Sequence, residues 1–405
     1  MDVSIVVPMV FQRGGSDRIV LEMARHFNAP VYTALYRKET AFSEFADLDV
    51  REIRYPLLKT VLSPLGRDVA IYGSALASAE FLTYKIKGDY DVLNAHGNPG
   101  NWIRNRNPRV CWSFYGPVRS AFDLYKYKVA NLPLHKRIPK ESMFAFYKFW
   151  DKRINPKIEK TVSGSPYVNE RDADFIREYI GTPVEATPFP VEAESFAPGP
   201  YGKYFLYPSR IAPEKRFEKA IEAFRIFSRK EKGWKLVIAG SVPKRERELA
   251  YLNQLAELAR GADVEFKTDL EQKELKALYS GAYAILYYPI NEDWGLPPVE
   301  AMASEKPCIS VNEGGPKYSI VEGKTGFLVN SPEGMAEKMI YLASHPAETE
   351  KMGKAGRKRV MENYTWEIFF KRMENAFREA ASPKDESANA PQGGETNRDS
   401  SKVME

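Results

Sequence analysis

Short apolar runs alternate with helical patterns along most of this chain, and this alternation restricts the fold more than any other feature. The first run covers 2–10 and leads through Gly14 and Gly15 into a stretch whose apolar residues have helical spacing. Strands that alternate with helices favour a parallel sheet covered by helices on both faces. We therefore predict an α/β fold.

The first series of elements ends near residue 190, where a Pro- and Gly-containing segment at 190–203 has the composition of a linker. A second series begins at Tyr204. Further strands are predicted at 31–36, 50–55, 91–96, 109–115, 160–165, 184–189, 204–211, 234–241, 262–268, 308–311 and 326–330, and helices at 67–87, 213–230, 244–260 and 270–280.

The length of 405 residues exceeds the roughly 250–300 residues that one hydrophobic core supports, so two domains are expected. We place the first domain at 1–190, the second at 191–364 and a C-terminal helix at 365–381. The remaining tail, 382–405, is polar and nearly free of large apolar residues. Such a segment cannot bury enough surface to offset its ordering entropy, and we predict that it is disordered.

Composition narrows the class of protein. Apolar residues make up 43% and charged residues 28% of the chain, as in soluble globular proteins, and the net charge of +5 does not imply a nucleic-acid partner. The N-terminus lacks the features of a signal peptide, and no run of about 18 apolar residues predicts a membrane span. Cys111 and Cys308 lie in apolar runs and favour a reducing compartment. We expect a cytoplasmic protein.

Two carboxylates mark a candidate site. Within 283–310, a buried strand is followed by a polar turn with Glu292, a helix start at Pro297 and Pro298, and Glu300 one turn into that helix. The carboxyl end of a strand is where open α/β sheets bind ligands, so we expect both glutamates at a binding site. Paired carboxylates also occur in glycoside hydrolases, which is a rival interpretation.

Gly14 and Gly15 form a second candidate feature. They separate a predicted strand from a helix for which Ser16 or Asp17 is the predicted N-cap. Backbone N–H groups at such a helix start can bind an anion. A β-α turn with no chemical role is the competing interpretation, since a Gly-Gly pair alone is a weak motif.

The motifs together resemble a known family, the retaining glycosyltransferases of family 4. They are, in order, Gly14-Gly15, Arg210 and Lys215 in PSRIAPEK, Glu292 and Glu300 in NEDWGLPPVEAM, GGP and TGFLV. The resemblance covers about 1–381 and implies a GT-B fold, in which two Rossmann-like doubly wound domains face each other across a cleft. It also implies that the C-terminal helix crosses back to the first domain.

The resemblance assigns roles to individual residues. Arg210 and Lys215 would neutralise the donor diphosphate, although a cationic pair at a helix start is often only a solvated face. Glu300 would bind the ribose and Glu292 the transferred sugar. Donor contacts are further expected from Gly14, Gly15, Trp294, Gly295 and Leu296.

The implied reaction is retaining hexosyl transfer without metal or other cofactor, from a GDP- or UDP-linked sugar. No Asp-x-Asp or His/Asp cluster in the sequence suggests a metal site. A non-catalytic nucleotide-binding scaffold is the alternative function. The four charged residues Arg210, Lys215, Glu292 and Glu300 argue against a scaffold, because mere binding does not require the whole set.

His96 and the segment 112–125 bear on the sugar and the acceptor. His96 ends an apolar strand and resembles a family histidine that contacts the sugar, whereas a lone histidine is more often structural. The segment resembles an acceptor-side segment of mannosyltransferase-like members, but Tyr115 stands where their histidine is usual. The similarity of 112–125 and 291–302 to mannosyltransferase-like members makes mannose from a GDP donor our preferred donor sugar, with UDP-linked hexoses next.

Residues 119–160 are rich in lysine, arginine and aromatic residues. A helix with aromatics on one face and cations on the other can lie on an anionic membrane surface. A core-facing amphipathic helix with a solvated basic side explains the pattern equally well. The first interpretation predicts a peripheral enzyme that extends a glycan acceptor, lipid-linked or of the cell envelope.

Overall fold

The computed structural model describes residues 1–11, 14–53, 78–122, 125–242 and 246–382. Within them, two parallel sheets form the centres of two domains. The first sheet has seven strands in the order β3-β2-β1-β4-β5-β6-β7, and the second has six in the order β10-β9-β8-β11-β12-β13. The strands are β1 (Val3–Val10), β2 (Val31–Tyr36), β3 (Val50–Glu52), β4 (Val92–His96), β5 (Val110–Phe114), β6 (Lys160–Ser163), β7 (Glu185–Ala186), β8 (Tyr204–Pro208), β9 (Lys235–Gly240), β10 (Val264–Thr268), β11 (Ala284–Tyr287), β12 (Cys308–Val311) and β13 (Gly326–Val329).

Helices cover the sheets and connect the strands. They are α1 (Gly15–His26), α2 (Tyr125–Lys128), α3 (Leu134–Ile154), α4 (Pro166–Arg171), α5 (Ala173–Phe175), α6 (Phe217–Lys230), α7 (Glu246–Leu258), α8 (Gln272–Gly281), α9 (Leu296–Ala303), α10 (Pro316–Ser319), α11 (Pro332–Ser344), α12 (Pro346–Asn363) and α13 (Trp366–Ala381).

Each sheet has a central strand at which the strand order reverses. β1 lies between β2 and β4, and β8 lies between β9 and β11. Strands in this position are covered on both faces, so their sequences are nearly continuous apolar runs rather than alternating ones. In each sheet the chain moves outward from the central strand, then returns to the other side of it. The reversal leaves a crevice at the carboxyl ends of the strands.

Several predicted boundaries differ in the structure. The helix predicted at 213–230 is interrupted at Arg216, which adopts left-handed backbone angles with φ of 48°. The strand predicted at 184–189 is reduced to Glu185–Ala186. Gly14, not Ser16 or Asp17, is the N-cap of α1, because the helix already begins at Gly15.

Some predictions fall partly or wholly outside the described residues. The predicted helix at 67–87 is described only from 78, and 78–83 are helical. Strand β3 ends at Glu52, and the rest of the prediction at 50–55 extends beyond the last described residue, 53. The predicted disordered tail is described only at Ser382.

The C-terminal helix α13 packs against the first domain, as the family resemblance implied. Phe369, Met373 and Phe377 are buried in the same core cluster as Val3 of β1 and Val162 of β6. Residues from the end of the chain therefore complete the core of the domain that begins it.

In the part of the chain that the structure describes, no helix is both long enough and apolar enough to cross a membrane. Both cysteines, Cys111 and Cys308, are buried as free thiols. Burial raises the pKa of each thiol, so both stay protonated near neutral pH.

We expect Phe377→Ala to lower the free energy of unfolding by about 3–5 kcal/mol, because it removes a fully buried ring and leaves a cavity. Urea unfolding measures the loss. Lys371→Ala, on the exposed side of the same helix, is the control and should change stability by no more than about 0.5 kcal/mol. Equal stability of the two variants would show that α13 is dispensable to the first domain.

Candidate functional site

The loop after β11 carries Glu292 and is fixed by its neighbours in the second domain. The Ile290 N–H donates to Glu214 O at 3.0 Å, and the Gly315 N–H donates to Glu292 O at 2.7 Å. Gly314 has φ of 68°, and a Cβ there would lie 2.5 Å from Glu292 O. The Gly-Gly pair after β12 is therefore required because the loop packs directly on its backbone.

Glu292 forms an ion pair with Lys215, and the two side chains are 29% and 11% exposed. The Tyr207 hydroxyl donates to Lys215 O and accepts from the Tyr288 N–H at 2.8 Å. Burial raises the pKa of Tyr207 well above its usual value, so the hydroxyl keeps its proton. One buried oxygen thus fixes the backbones on both sides of the ion pair.

Arg216 holds the same loop and was not predicted from the sequence. Its guanidinium donates to Tyr288 O at 2.9 Å and to Pro289 O at 2.6 Å, and it pairs with Glu313 at 2.7 Å. The left-handed conformation of Arg216 ends the short 3-10 turn Pro213–Lys215 before α6 begins. In the sequence, Arg216 is one of several cations in the charged segment 213–219, and no motif distinguishes it from its neighbours.

Arg210 is placed differently from Lys215. Its side chain is exposed and pairs with Glu214 at 2.9 Å. An exposed pair of this kind contributes only about 0–1 kcal/mol, so Arg210 can change partners at little cost. The structure thus leaves the predicted diphosphate contact of Arg210 as a prediction.

Glu300 lies in a cavity between the two domains with a volume of about 400 Å³. The Tyr279 hydroxyl donates to Glu300 Oε2 at 2.5 Å. Burial raises the pKa of Glu300, and the hydrogen bond from Tyr279 opposes that rise. Lining residues include Gly14, Gly15 and Arg18 of the first domain and Lys276, Leu296 and Glu300 of the second.

The cavity thus brings together four residues predicted to contact the donor: Gly14, Gly15, Leu296 and Glu300. A Cβ on Gly15 would meet no other atom of the described chain within 4 Å. Packing therefore does not require glycine at this position. A close approach of a ligand to the α1 N-terminus is a physical reason for it.

Two cations in the cavity were missed by the sequence analysis. Arg18 of the first domain and Lys276 of the second both pair with Glu192, at 2.8 and 3.1 Å. Burial acts to raise the pKa of Glu192, but Lys276 and Arg18 outweigh it and the net pKa is lowered. A carboxylate thus lies between cations of both domains, in a cavity that the sequence pattern assigns to an anionic ligand.

His96 is buried, with 1% exposure, and both ring nitrogens have partners. Nε2 lies 2.7 Å from Asn94 Oδ1, and Nδ1 lies 2.6 Å from the Tyr115 hydroxyl. Since Asn94 uses its Nδ2 to donate to Cys111 O and Ser113 Oγ, its Oδ1 accepts, and His96 Nε2 carries the hydrogen. Both ring nitrogens thus have partners within the protein, and the predicted contact of His96 with a sugar stays a prediction.

Trp294 and Gly295 shape the start of α9. The Trp294 ring is buried and packs edge-on against Tyr364 at a centroid distance of 5.3 Å. Gly295 is the N-cap with φ of 78°, and a Cβ there would lie 2.9 Å from the Tyr287 ring. The predicted sugar contacts of their backbone amides stay predictions. Among the described residues, no group of three His, Cys, Asp or Glu side chains could hold a metal ion.

The family model that matches this chain covers most of the second domain. Residues 192–359 match the family Glycosyl transferases group 1. The chain is similar to trehalose synthase of Pyrococcus horikoshii, 33% identical over 171 residues, which cover 41% of this chain and 40% of that protein. It is also similar to human Alpha-1,3/1,6-mannosyltransferase ALG2, 33% identical over 183 residues, which cover 42% of this chain and 44% of that protein. The chain thus spans about two fifths of the length of these curated relatives.

The solved structures extend the likeness to both domains. Sucrose-phosphate synthase from Thermosynechococcus elongatus superimposes with a TM-score of 0.69 over 94% of this chain and 100% of that chain, at 20% identity. This likeness confirms the predicted GT-B fold.

His96 should make stability depend on pH. Burial lowers its pKa to about 3, below the value near 6.5 of an unfolded chain, so unfolding takes up a proton between these values. Its contribution is complete above pH 6.5 and is lost as the pH falls toward 3. We expect the free energy of unfolding of the wild type to fall more steeply between pH 6 and 4 than that of His96→Gln, by up to about 1.4 kcal/mol per pH unit. Parallel pH profiles would contradict the assignment of a neutral, buried His96.

Proposed function

We propose that this chain is a retaining hexosyltransferase that uses a nucleotide-diphosphate sugar, because residues 192–359 match the family Glycosyl transferases group 1. The preferred donor sugar is mannose, linked to GDP or UDP, and the acceptor is a glycan. The single observation that carries the proposal is the interdomain cavity in which the Gly14–Gly15 helix start faces Glu300 and Lys276.

The chemistry of the cleft supports this reaction class. In the transfer, the bond from the anomeric carbon to the diphosphate oxygen breaks, and negative charge develops on that oxygen. The acceptor hydroxyl bonds to the same face of the sugar, and its proton passes to the departing phosphate oxygen. Lys215, Arg210 and the α1 N-terminus supply positive charge for the leaving group. We propose that they do so without a metal ion.

The two glutamates have different surroundings, which supports different roles for them. Glu300 is held by Tyr279 inside the cavity, and we assign it the ribose hydroxyls. Glu292 is paired with Lys215 on a loop fixed by Arg216, and we assign it the transferred sugar. An acid and nucleophile pair of a glycoside hydrolase requires both carboxyls at one glycosidic bond. The hydrolase interpretation leaves Arg210, Lys215 and the two Rossmann-like domains without a role, so it is disfavoured.

The preference for mannose rests on similarity alone. The region of 33% identity with human Alpha-1,3/1,6-mannosyltransferase ALG2 supports it, whereas the equal identity with a trehalose synthase keeps other hexoses open. The matched stretches cover about two fifths of each relative, so the activity of those whole proteins is not transferred to this chain.

Lys215→Ala and Glu292→Gln should each abolish sugar transfer while the protein stays folded. The wild type is first assayed with GDP-mannose, UDP-glucose and UDP-galactose for release of the nucleoside diphosphate and glycosylation of added glycans. Lys219→Ala and Glu222→Gln replace a partly exposed pair on α6 and are the matched controls. A wild type that binds a nucleotide without turnover of any donor would favour the scaffold, and release of sugar from glycosides without a nucleotide donor would favour the hydrolase. Full turnover in both site variants would contradict the site assignment.

We further propose that α3 attaches the protein to the anionic surface of a cytoplasmic membrane, where a lipid-linked acceptor would lie. One face of the helix is buried through Phe144, Tyr147 and Ile154. The opposite side exposes apolar residues, and exposed cations lie beside them. The apolar residues are Leu134, Ile138, Phe146 and Phe149, and the cations include Lys136, Lys152 and Arg153.

This exposed face has the chemistry of a lipid-surface helix. Apolar side chains can enter the boundary of the acyl chains, and each cation near an anionic surface contributes about 1 kcal/mol. The buried side shows that the core-facing interpretation of the aromatics is also correct in part. The proposal therefore concerns only the exposed side of α3.

Flotation with vesicles tests the membrane proposal. We expect binding to vesicles that contain phosphatidylserine, weaker binding at high salt, and little binding to phosphatidylcholine alone. Phe146→Ser with Phe149→Ser should reduce the bound fraction severalfold, whereas Met361→Ser, an exposed apolar residue of the second domain, should not. Absence of salt-sensitive binding would instead favour a soluble acceptor.

A further inference from the structure

The loop that carries Glu292 is also held from the first domain. The Arg171 guanidinium forms an ion pair with the Asp293 carboxylate, and the Ser165 hydroxyl donates to Asp293 O. Arg171 ends α4, and Ser165 is its N-cap. Both ends of one short helix of the first domain thus contact the residue next to Glu292.

Arg171 is fixed in place before it reaches the loop. Its Nε and Nη2 donate to the two oxygens of Asp172 at 3.0 and 2.7 Å, a bidentate pair. The side chains of Arg171 and Asp172 are 9% and 5% exposed. A Cβ on Gly116 would lie 2.6 Å from Arg171 Nη2, so glycine leaves the space that the guanidinium occupies. These contacts pre-organise the guanidinium in the first domain and present Nη1 to Asp293.

A second contact across the cleft lies beside the first. The Tyr318 hydroxyl, from α10 of the second domain, donates to Glu170 of α4, and Lys317 lies 3.7 Å from the same carboxylate. The helix α10 directly follows the Gly314–Gly315 pair on which the loop packs. The helix α4 thus contacts both the loop itself, at Asp293, and the segment that supports it. The loop therefore depends on both domains for its position.

We propose that Arg171 is a positioning residue, which places the sugar-contacting loop through Asp293 so that Glu292 reaches its working position only when α4 lies against the loop. The position of Glu300, the proposed ribose contact, does not depend on Arg171, because Tyr279 of the second domain holds the Glu300 carboxylate. Loss of the Arg171–Asp293 contact should therefore affect turnover and leave nucleotide binding intact. The inference rests on the proposed sugar transfer.

The effect on turnover can be large although Asp293 itself is 41% exposed. A displacement of about 1 Å at a reacting group can lower a rate roughly 100-fold. We therefore expect Asp293→Ala to lower kcat about 10- to 100-fold and to leave the Kd for GDP or UDP, whichever the wild-type reaction releases, within about twofold. Asp293→Ala is the first choice because it leaves the buried Arg171–Asp172 pair intact.

A double-mutant cycle isolates the contact. Arg171→Ala should lower kcat to a similar extent, and the double variant should lower it no further, because both single changes remove the same interaction. Asp174→Ala, an exposed carboxylate near α4, is the matched control and should keep wild-type kcat. Should Arg171→Ala not fold because Asp172 loses its bidentate contact with the guanidinium, Arg171→Lys replaces it in the cycle.

Each result has one meaning. A fall in kcat with an unchanged Kd and a non-additive double variant supports the positioning role. Unchanged kcat in Asp293→Ala, a parallel loss of kcat and nucleotide affinity, or additive effects would overturn it. If the wild type transfers no sugar from any donor, the proposed function fails first, which is a distinct outcome.

Discussion

The ion pair between Lys215 and Glu292 joins segments 77 residues apart, and the local structure on both sides is arranged around it. A single hydroxyl, that of Tyr207, binds the backbone of Lys215 itself and that of Tyr288 at the start of the Glu292 loop. Arg216 holds the carbonyls of the loop, and Gly314 allows the loop to lie directly on the neighbouring turn. These contacts give the loop between β11 and α9 a defined surface, which a charged pair with partial exposure could not achieve alone.

Much of the fold could be predicted from the sequence, because strands and helices each have a characteristic periodicity of apolar residues. Buried parallel strands are continuous apolar runs, and the helices between them have a 3.6-residue period, so existence and order of the elements could be read directly. The cavity residues Gly14, Gly15 and Glu300 were also predictable, since strand ends and helix starts meet at the same edge of each sheet. Boundaries were less predictable at positions with special tertiary contacts, as at Arg216, which has a left-handed backbone and a guanidinium bound to carbonyls of a distant loop.

The missed residues share a physical cause. Arg18, Lys276 and Arg171 are ordinary charged residues of helices, and such residues are usually solvated. Arg18 and Arg171 reach partners that lie beyond the first domain, and Lys276 reaches Glu192 of the linker segment, so the role of each depends on how distant segments come together. His96 shows the reverse case. A histidine at a strand end suggested a sugar contact, which stays a prediction, and the structure adds partners for both ring nitrogens, Asn94 for one and Tyr115 for the other. Neither hydrogen bond has a signature in the sequence.

Glu192 lies in the segment that the sequence identifies as a linker, yet it pairs with a cation from each domain. Linkers are the natural place to cut and rejoin chains when domains of related proteins are recombined. In this molecule a junction at that segment would separate the carboxylate from at least one of its two cations and would alter the wall of the cleft. Recombined proteins would keep an intact cleft only if the linker and the residues that meet it, Arg18 and Lys276, were inherited together.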